Sequence, residues 1–298
     1  MQVSEVSGDT APAVHAAGLA RRPDDSDVSP DAVRRCAAAM TEADGLLVTA
    51  GAGMGVDSGL PTFRGTEGFW MHYPALGKAG IEFSEIASPE AFHRDPRLAW
   101  GFYGHRLQLY RRAIPHAGFE ILRRWGERLP RGVFVVTSNV DGQFQRAGYA
   151  TAHVRELHGS LHRLQCLERC STQTWSATRF KPEIDMERCR LIGPLPRCPR
   201  CGAVARPNVL MFGDGEWVEL PADAGKKAFQ SWRSSVRRLV TVEIGAGEVI
   251  SSVRRLSEAQ EGFLVRINPD AADLPARCDG EGLQGGAVEI LSRIDIQL

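Results

Sequence analysis

Four short, almost unbroken apolar runs limit what this chain can fold into. Gly45-Leu-Leu-Val-Thr-Ala50, Val133-Phe-Val-Val-Thr137, Val240-Thr-Val-Glu-Ile244 and Phe263-Leu-Val-Arg-Ile267 are each five or six residues long. Runs of that length without regular polar alternation suit strands covered on both faces, as in a parallel sheet. Amphipathic segments near 97–112, 117–128 and 249–260 separate or flank them. Ser29-Pro30-Asp31 supplies a cap, a proline for the first helical position and an acid for the first turn of a helix running to about Ala43. Alternation of strand and helix in this manner predicts an α/β fold built on an open sheet.

The pattern breaks twice. Residues 1–28 hold no aromatic side chain and a single Leu, too little apolar surface to offset the entropy of ordering, so a disordered tail is expected there. Between about 160 and 210 the periodicity gives way to Cys, Pro and Arg, over a stretch too long for an ordinary loop. A small inserted module is expected at 160–210, which leaves 29–159 and 211–298 to form one α/β domain. A composition of 43% hydrophobic and 24% charged residues excludes a wholly disordered, collagen-like or coiled-coil chain. Lys+Arg and Asp+Glu both number 36, and this neutral total gives no sign of nucleic acid or an anionic membrane as partner. No run approaches the roughly 18 apolar residues of a membrane span, and the start lacks the basic-then-apolar layout of a secretory signal, so a cytoplasmic location is expected.

Seven cysteines are present, at 36, 166, 170, 189, 198, 201 and 278. Three residues separate Cys166 from Cys170, two separate Cys198 from Cys201, and 27 lie between the pairs. Without an export signal, close pairs favour metal over disulfides. Four thiolates from two knuckles would close a tetrahedral sphere around a single structural zinc, although four buried thiols are the plainer alternative. Cys189 is a substitute ligand candidate, and Cys36 belongs to the core face of the first helix.

Three further groups could carry chemistry. Gly51-Ala52-Gly53 follows the first strand directly, where glycines admit a pyrophosphate close to backbone amides, or simply make a tight turn. His158 follows the β-prone segment His153-Val-Arg-Glu-Leu157; alone it would be a structural histidine, but with Asn139 and Asp141 at another strand end it is a candidate general base. Tyr103 and Arg106, at i,i+3 on the 97–112 segment, share a helical face and together can hold a carboxylate, or lie at the core edge and in solvent respectively.

Longer motifs connect these groups. Gly51 through Gly65 ends in Pro61-Thr62-Phe63-Arg64-Gly65; Thr137-Ser138-Asn139-Val-Asp141, His158-Gly-Ser160, the two cysteine pairs, Arg206-Pro-Asn-Val-Leu-Met-Phe-Gly213, Gly245-Ala246-Gly247 and Ile267-Asn268 follow in order. Over about 240 residues this succession resembles the sirtuin family of NAD-dependent protein deacylases. The resemblance implies a Rossmann-like parallel sheet with an inserted small zinc-binding module, NAD and one structural zinc as cofactors, and acylated protein lysine as substrate. It also implies NAD contacts at Gly51, Ala52, Gly53, Phe63, Arg64, Ser138, Gly245, Ala246, Gly247 and Asn268. Catalysis falls to His158, Asn139 and Asp141, with Arg64 helping to activate the cofactor; Met211, Phe212 and Gly213 pair with the substrate. The acyl group is expected to pass to ADP-ribose as nicotinamide leaves. Tyr103 and Arg106 resemble the Tyr-x-x-Arg of members that remove succinyl and malonyl groups. Thr62 and Ser138 depart from the family's Pro-Asp-Phe-Arg and Thr-Gln-Asn, as does Gln143-Phe144 from its Leu-His. Two other readings stay open: an NAD glycohydrolase or ADP-ribosyltransferase, and a non-catalytic NAD-binding module.

Overall fold

The computed structural model describes residues 28–62, 66–219 and 222–298, so the expected tail lies, up to residue 27, outside the described residues. Strands β1 (Gly45–Ala50), β2 (Val133–Thr137) and β3 (Val154–Glu156) precede the cysteine-bearing stretch. Within it lie β4 (Gly159–Cys166), β5 (Thr174–Ser176), β6 (Ile184–Asp185), β7 (Arg190–Leu191) and β8 (Ala205–Val209), and β9 (Leu239–Ile244), β10 (Phe263–Ile267) and β11 (Gly280–Leu283) follow. Six of them form one parallel sheet in the order β11-β10-β9-β1-β2-β3. β1 and β9 are buried along their whole length, which is why their sequences run apolar without alternation. Glu243 and Arg266 are the charged exceptions. They stand opposite each other in register and form a buried bidentate pair, Nε to Oε1 at 2.6 Å and Nη2 to Oε2 at 3.1 Å, with Glu258 as a third member.

The helices are α1 (Pro30–Glu42), α2 (Thr66–His72), α3 (Pro74–Lys78), α4 (Phe83–Ile86), α5 (Pro89–Arg94), α6 (Pro96–Arg112), α7 (Ala117–Arg128), α8 (Gln143–Arg146), α9 (Ala222–Ser235), α10 (Ser252–Glu258) and α11 (Ala287–Asp295). α1 begins as expected, the Ser29 hydroxyl accepting from the Asp31 amide at 3.2 Å. α1, α7 and α11 cover one face of the sheet through Val33, Met40, Phe119, Trp125, Ile290 and Leu291. Phe229 and Trp232 of α9 and Leu256 of α10 pack with Leu47, Phe134 and Val136 in a second cluster. α10 starts at Ser252 and not at 249, so Glu248–Ser251 remain outside the helix.

A third apolar cluster joins the helices of 66–112 to the cysteine-bearing stretch. Trp100, Phe102, Tyr103 and Leu107 of α6 meet Leu161, Leu164, Leu191 and Ala205, and the Trp100 indole donates to the Ala205 carbonyl at 2.8 Å. In the antiparallel sheet β5-β4-β8, β4 slips register between Ser160 and Leu164. The bulge turns Leu161 and His162 towards the turn after β2: the Leu161 amide donates to the Val140 carbonyl at 3.0 Å, and the His162 Nε2 donates to the Asp141 carbonyl at 2.8 Å.

The chain runs from β1 outward to β2 and β3, then returns to β9 on the other side of β1. The strand order therefore reverses beside β1, and the turns leaving β1, β2, β9 and β10 meet at one edge. Open α/β sheets bind ligands at such a reversal.

Candidate active site and thiol cluster

The turns at the sheet reversal are fastened to one another by backbone. The Gly51 amide donates to the Ile244 carbonyl and the Gly53 amide to the Gly245 carbonyl, both at 3.0 Å. Gly245 has φ +58, and a Cβ there would come within 2.3 Å of the Gly53 Cα. Glycine at 53 and 245 is thus required by two main chains in contact. β2 joins the same seam: the Thr137 hydroxyl and the Ser138 amide both donate to the Ala50 carbonyl, at 3.0 and 3.1 Å, and the Asn139 side-chain amide donates to the Gly51 carbonyl at 2.9 Å.

Above this floor opens a cleft of about 790 Å³. Of the residues expected from sequence, Gly51, Ala52, Ser138, Asn139, Asp141, His158, Tyr103, Arg106, Met211, Phe212, Gly245, Ala246, Gly247 and Asn268 line it. Gly53 does not; it packs behind the lining against Gly245. Gly213, at φ +65, turns the chain beyond Phe212 and also lies outside the lining. Phe63 and Arg64 lie outside the described residues.

Asp141 is 7% exposed and accepts the Gln143 amide at 2.9 Å. Burial outweighs that hydrogen bond and the nearby Arg106 charge, and its carboxyl is pushed up to about 6. His158 sits between β3 and β4, with its carbonyl accepting from the Leu210 amide at 3.0 Å. Burial holds its imidazole below the ordinary histidine range against a hydrogen bond to the Ser138 backbone, so the ring is neutral near pH 7 and available as a base.

Arg106 gives the opposite wall its charge, beside the neutral phenol of Tyr103. Tyr103 is 1% exposed, and the Arg106 guanidinium lies 5.3, 5.9 and 5.4 Å from the Phe102, Tyr103 and Tyr110 ring centres. Its Nε and Nη2 donate to the Tyr110 hydroxyl at 3.0 and 2.6 Å. Tyr110 is not among the residues the sequence singles out, though it stands at i+4 from Arg106, a spacing that could have found it. Gln143, where the family has Leu, donates from Nε2 to the Tyr110 carbonyl at 3.1 Å, so that departure links the Asp141 turn to α6. Phe83, Glu248, Ile250 and Asp270 also line the cleft. Of these, Glu248 and Asp270 had a signal, one residue beyond Gly247 and two beyond Asn268.

At the far end the Asn268 side chain is buried and engaged with backbone, Nδ2 donating to the Ala246 carbonyl at 3.0 Å and Oδ1 accepting from the Asp270 and Ala271 amides at 3.1 and 3.2 Å. It shapes the lining by holding two loops together.

Away from the cleft, the sulfurs of Cys166, Cys170, Cys198 and Cys201 all lie within 4.8 Å of one another. Cys166–Cys201 and Cys170–Cys198 are each 3.6 Å apart. A tetrahedral zinc with bonds of about 2.3 Å sets sulfurs about 3.8 Å apart, so the four ligands fit that ion. Burial pushes the Cys198 thiol up, but amide donation from Cys201 and Arg200 outweighs it and brings the thiol down to about 7. Cys189 is buried outside this group.

Comparison with known proteins follows the same lines. A 34% identical relative over 253 residues, 84% of this chain and 89% of its own, is an NAD-dependent protein deacylase of Thermus thermophilus. The protein of that name from Aquifex aeolicus is 31% identical over 234 residues, 78% of this chain and 87% of its own. The crystal structure of a Sir2 homolog–NAD complex superposes with a TM-score of 0.67 at 27% identity, covering 88% of this chain and 92% of that one. The family model for the Sir2 family matches residues 51–236. Together with that match, the parallel sheet and the four-cysteine cluster place this protein in the Sir2 family.

Proposed function

We propose that the protein is an NAD-dependent protein-lysine deacylase. One observation carries the reading: His158, the Asn139–Asp141 turn, the glycine turns after β1 and β9, and the Leu210–Phe212 segment all face a single cleft. Its volume is that of a small-molecule site, and NAD and the relatives' acylated substrates would meet there. NAD, when bound, supplies a ribose carbon from which nicotinamide leaves and an ADP-ribose that accepts the acyl group. The chain's own residues orient and deprotonate. Neutral His158 takes a proton from a ribose hydroxyl at its ring nitrogen, while the Ser138 backbone fixes the ring. Asn139, tied to Gly51, joins the β2 turn to the β1 turn on the cofactor side. The Met211–Phe212 backbone, anchored by the Phe212 amide donating to the Ala87 carbonyl at 2.9 Å, offers an edge for an extended peptide.

The acyl class follows from Arg106. Its charge, held among three aromatic rings on the cleft wall, complements an acyl chain that ends in a carboxylate, so succinyl- and malonyl-lysine are the substrates favoured over acetyl-lysine. Arg106→Met is expected to lower desuccinylation by at least tenfold and to leave deacetylation nearly unchanged, since losing one partner of a buried charge pair costs about 2–5 kcal/mol. Among the described residues no helix is long and apolar enough to cross a membrane, and action on protein lysines in the cytoplasm is the setting we assign.

The deciding experiment incubates the protein with NAD, with and without succinyl-, malonyl- and acetyl-lysine peptides, and follows products by mass spectrometry. Nicotinamide released only with peptide, together with acyl-ADP-ribose, is the expected result. Release without peptide would replace the reading by NAD hydrolysis, and NAD binding without release would make the protein a non-catalytic module.

A further inference from the structure

Resting on the NAD reading above, we propose that Arg254 is a positioning residue for the adenosine half of NAD, its guanidinium fixing the two loops that close that end of the cleft. The loop after β9 and the loop after β10 both leave the sheet at the reversal, and Ala246, Glu248, Asp270 and Ala271 line the cleft from them. Arg254, in the first turn of α10, reaches both. Its Nε donates to the Ala246 carbonyl at 3.3 Å, its Nη2 donates to the Ala271 carbonyl at 2.5 Å, and Nη1 stands 3.8 Å from a Glu248 carboxylate oxygen. The residue is only 8% exposed, whereas its neighbour Arg255 points into solvent.

A buried guanidinium is costly unless its donors are matched. Here they are matched by carbonyls of the two loops. Packing of α10 on the sheet does not need this charge, since Val253 and Ser257 supply buried contacts from the same helix, the Ser257 hydroxyl lying 2.8 Å from that of Thr49. Arg254 and Asn268 moreover converge on one atom, the Ala246 carbonyl, and each then continues to the 270–271 segment, Asn268 through the amides and Arg254 through the carbonyl. The loops are linked twice, once by a residue the family resemblance identifies and once by a residue it does not. Preorganisation of this kind acts on affinity: ligand binding weakens by the fraction of molecules in which the loops are held apart.

The test is calorimetric titration of NAD, ADP-ribose and acyl-peptide on wild type, Arg254→Met and Arg254→Lys, with amide hydrogen exchange of residues 246–250 and 269–273 and steady-state kinetics on the same samples. Arg254→Met should bind NAD and ADP-ribose more weakly by the same factor, roughly tenfold if the loops remain correctly placed in about a tenth of molecules. Its KM for NAD should rise with kcat within twofold, peptide affinity should not change, and exchange should quicken in those two loops alone. Arg254→Lys, able to reach one carbonyl, should recover part of the affinity; it also serves as the test variant should Arg254→Met not fold. Unchanged NAD affinity in a folded variant overturns the proposal. So does an equal loss of peptide and NAD binding with a broad rise in exchange, which would make Arg254 a general stabiliser. Failure of the NAD reading looks different, because the wild type itself would then bind no NAD, whereas an NAD hydrolase or a non-catalytic module would bind NAD without forming acyl-ADP-ribose.

Discussion

The thiol cluster and the floor of the cleft both concentrate groups that are costly to bring together, and they resolve the cost in opposite ways. In the cluster, four sulfurs converge from two knuckles, and Cys170 is pushed up to about 12, chiefly by its contact with the Cys201 sulfur. A bound ion removes the protons and converts the crowding into folding energy. In the cleft, Asp141 is buried in a turn although its carboxyl would be better solvated in water, and stability is given up to keep it there. The first region is built to hold the fold, the second to react.

Metal removal should therefore produce the largest effect. Structural zinc contributes on the order of 10 kcal/mol in small zinc domains. Purified protein should carry about one zinc per chain, and chelation or Cys198→Ala should lose the metal and unfold β4, β8 and the α6 helix packed on them, read by circular dichroism and metal analysis. A metal-free, fully folded wild type would reject this side of the comparison.

The catalytic side should show the reverse pattern. His158→Ala is expected to cut acyl transfer by roughly 100- to 10,000-fold while leaving the protein folded, with a much smaller effect on the melting temperature than loss of the metal. A large stability loss with normal turnover would make His158 structural.

Asp141 sharpens the comparison further, because its two effects should have opposite sign. Its carboxyl lies at about 6 in the folded protein and near 3.8 unfolded. The folded state holds the proton more tightly, so this carboxyl's contribution to stability is most favourable below about pH 4, is lost as pH rises to about 6, and stays lost above it. The shift corresponds to about 3 kcal/mol. Asp141→Asn should accordingly raise stability by about that amount at pH 8, show no gain near pH 4, and lose most activity. Thermal melts at the two pH values decide; equal changes at both would mean that the carboxylate is not destabilising.

Legibility from sequence divides along the same line. The apolar runs of β1, β2, β9 and β10 announced the sheet because strands buried on both faces leave little choice of residue. The cysteine spacing announced the cluster because metal geometry demands nearby pairs. Packing between distant segments was not legible: nothing in the sequence of α6 says that Trp100 will donate to Ala205, or that Leu164 will join its core. The β4 bulge was hidden for a similar reason, since His162 reaches the Asp141 carbonyl only through a register slip between β4 and β8, two strands far apart in the chain. Of the cleft, residues in short motifs were found, whereas Arg254 and Tyr110, which act through other residues, belong to no motif.

Tyr110 gives the smallest predicted effect and the finest probe of the cleft wall. Its hydroxyl accepts two hydrogen bonds from Arg106, and its ring lies under the same guanidinium. Tyr110→Phe keeps the ring, and hence the cation–π contact and the packing, but removes the acceptor. A hydrogen bond to a charged group contributes about 1.5–3 kcal/mol, and only the part that aims the guanidinium should appear in catalysis. Succinyl-peptide turnover should fall by roughly five- to tenfold, less than for Arg106→Met, with acetyl-peptide turnover within twofold of wild type. In the double variant Tyr110→Phe/Arg106→Met the two losses should not add, because the hydroxyl acts through the arginine. Additive losses, or an equal fall for both peptides, would show that Tyr110 contributes through packing alone and that the wall is not tuned for an acidic acyl chain.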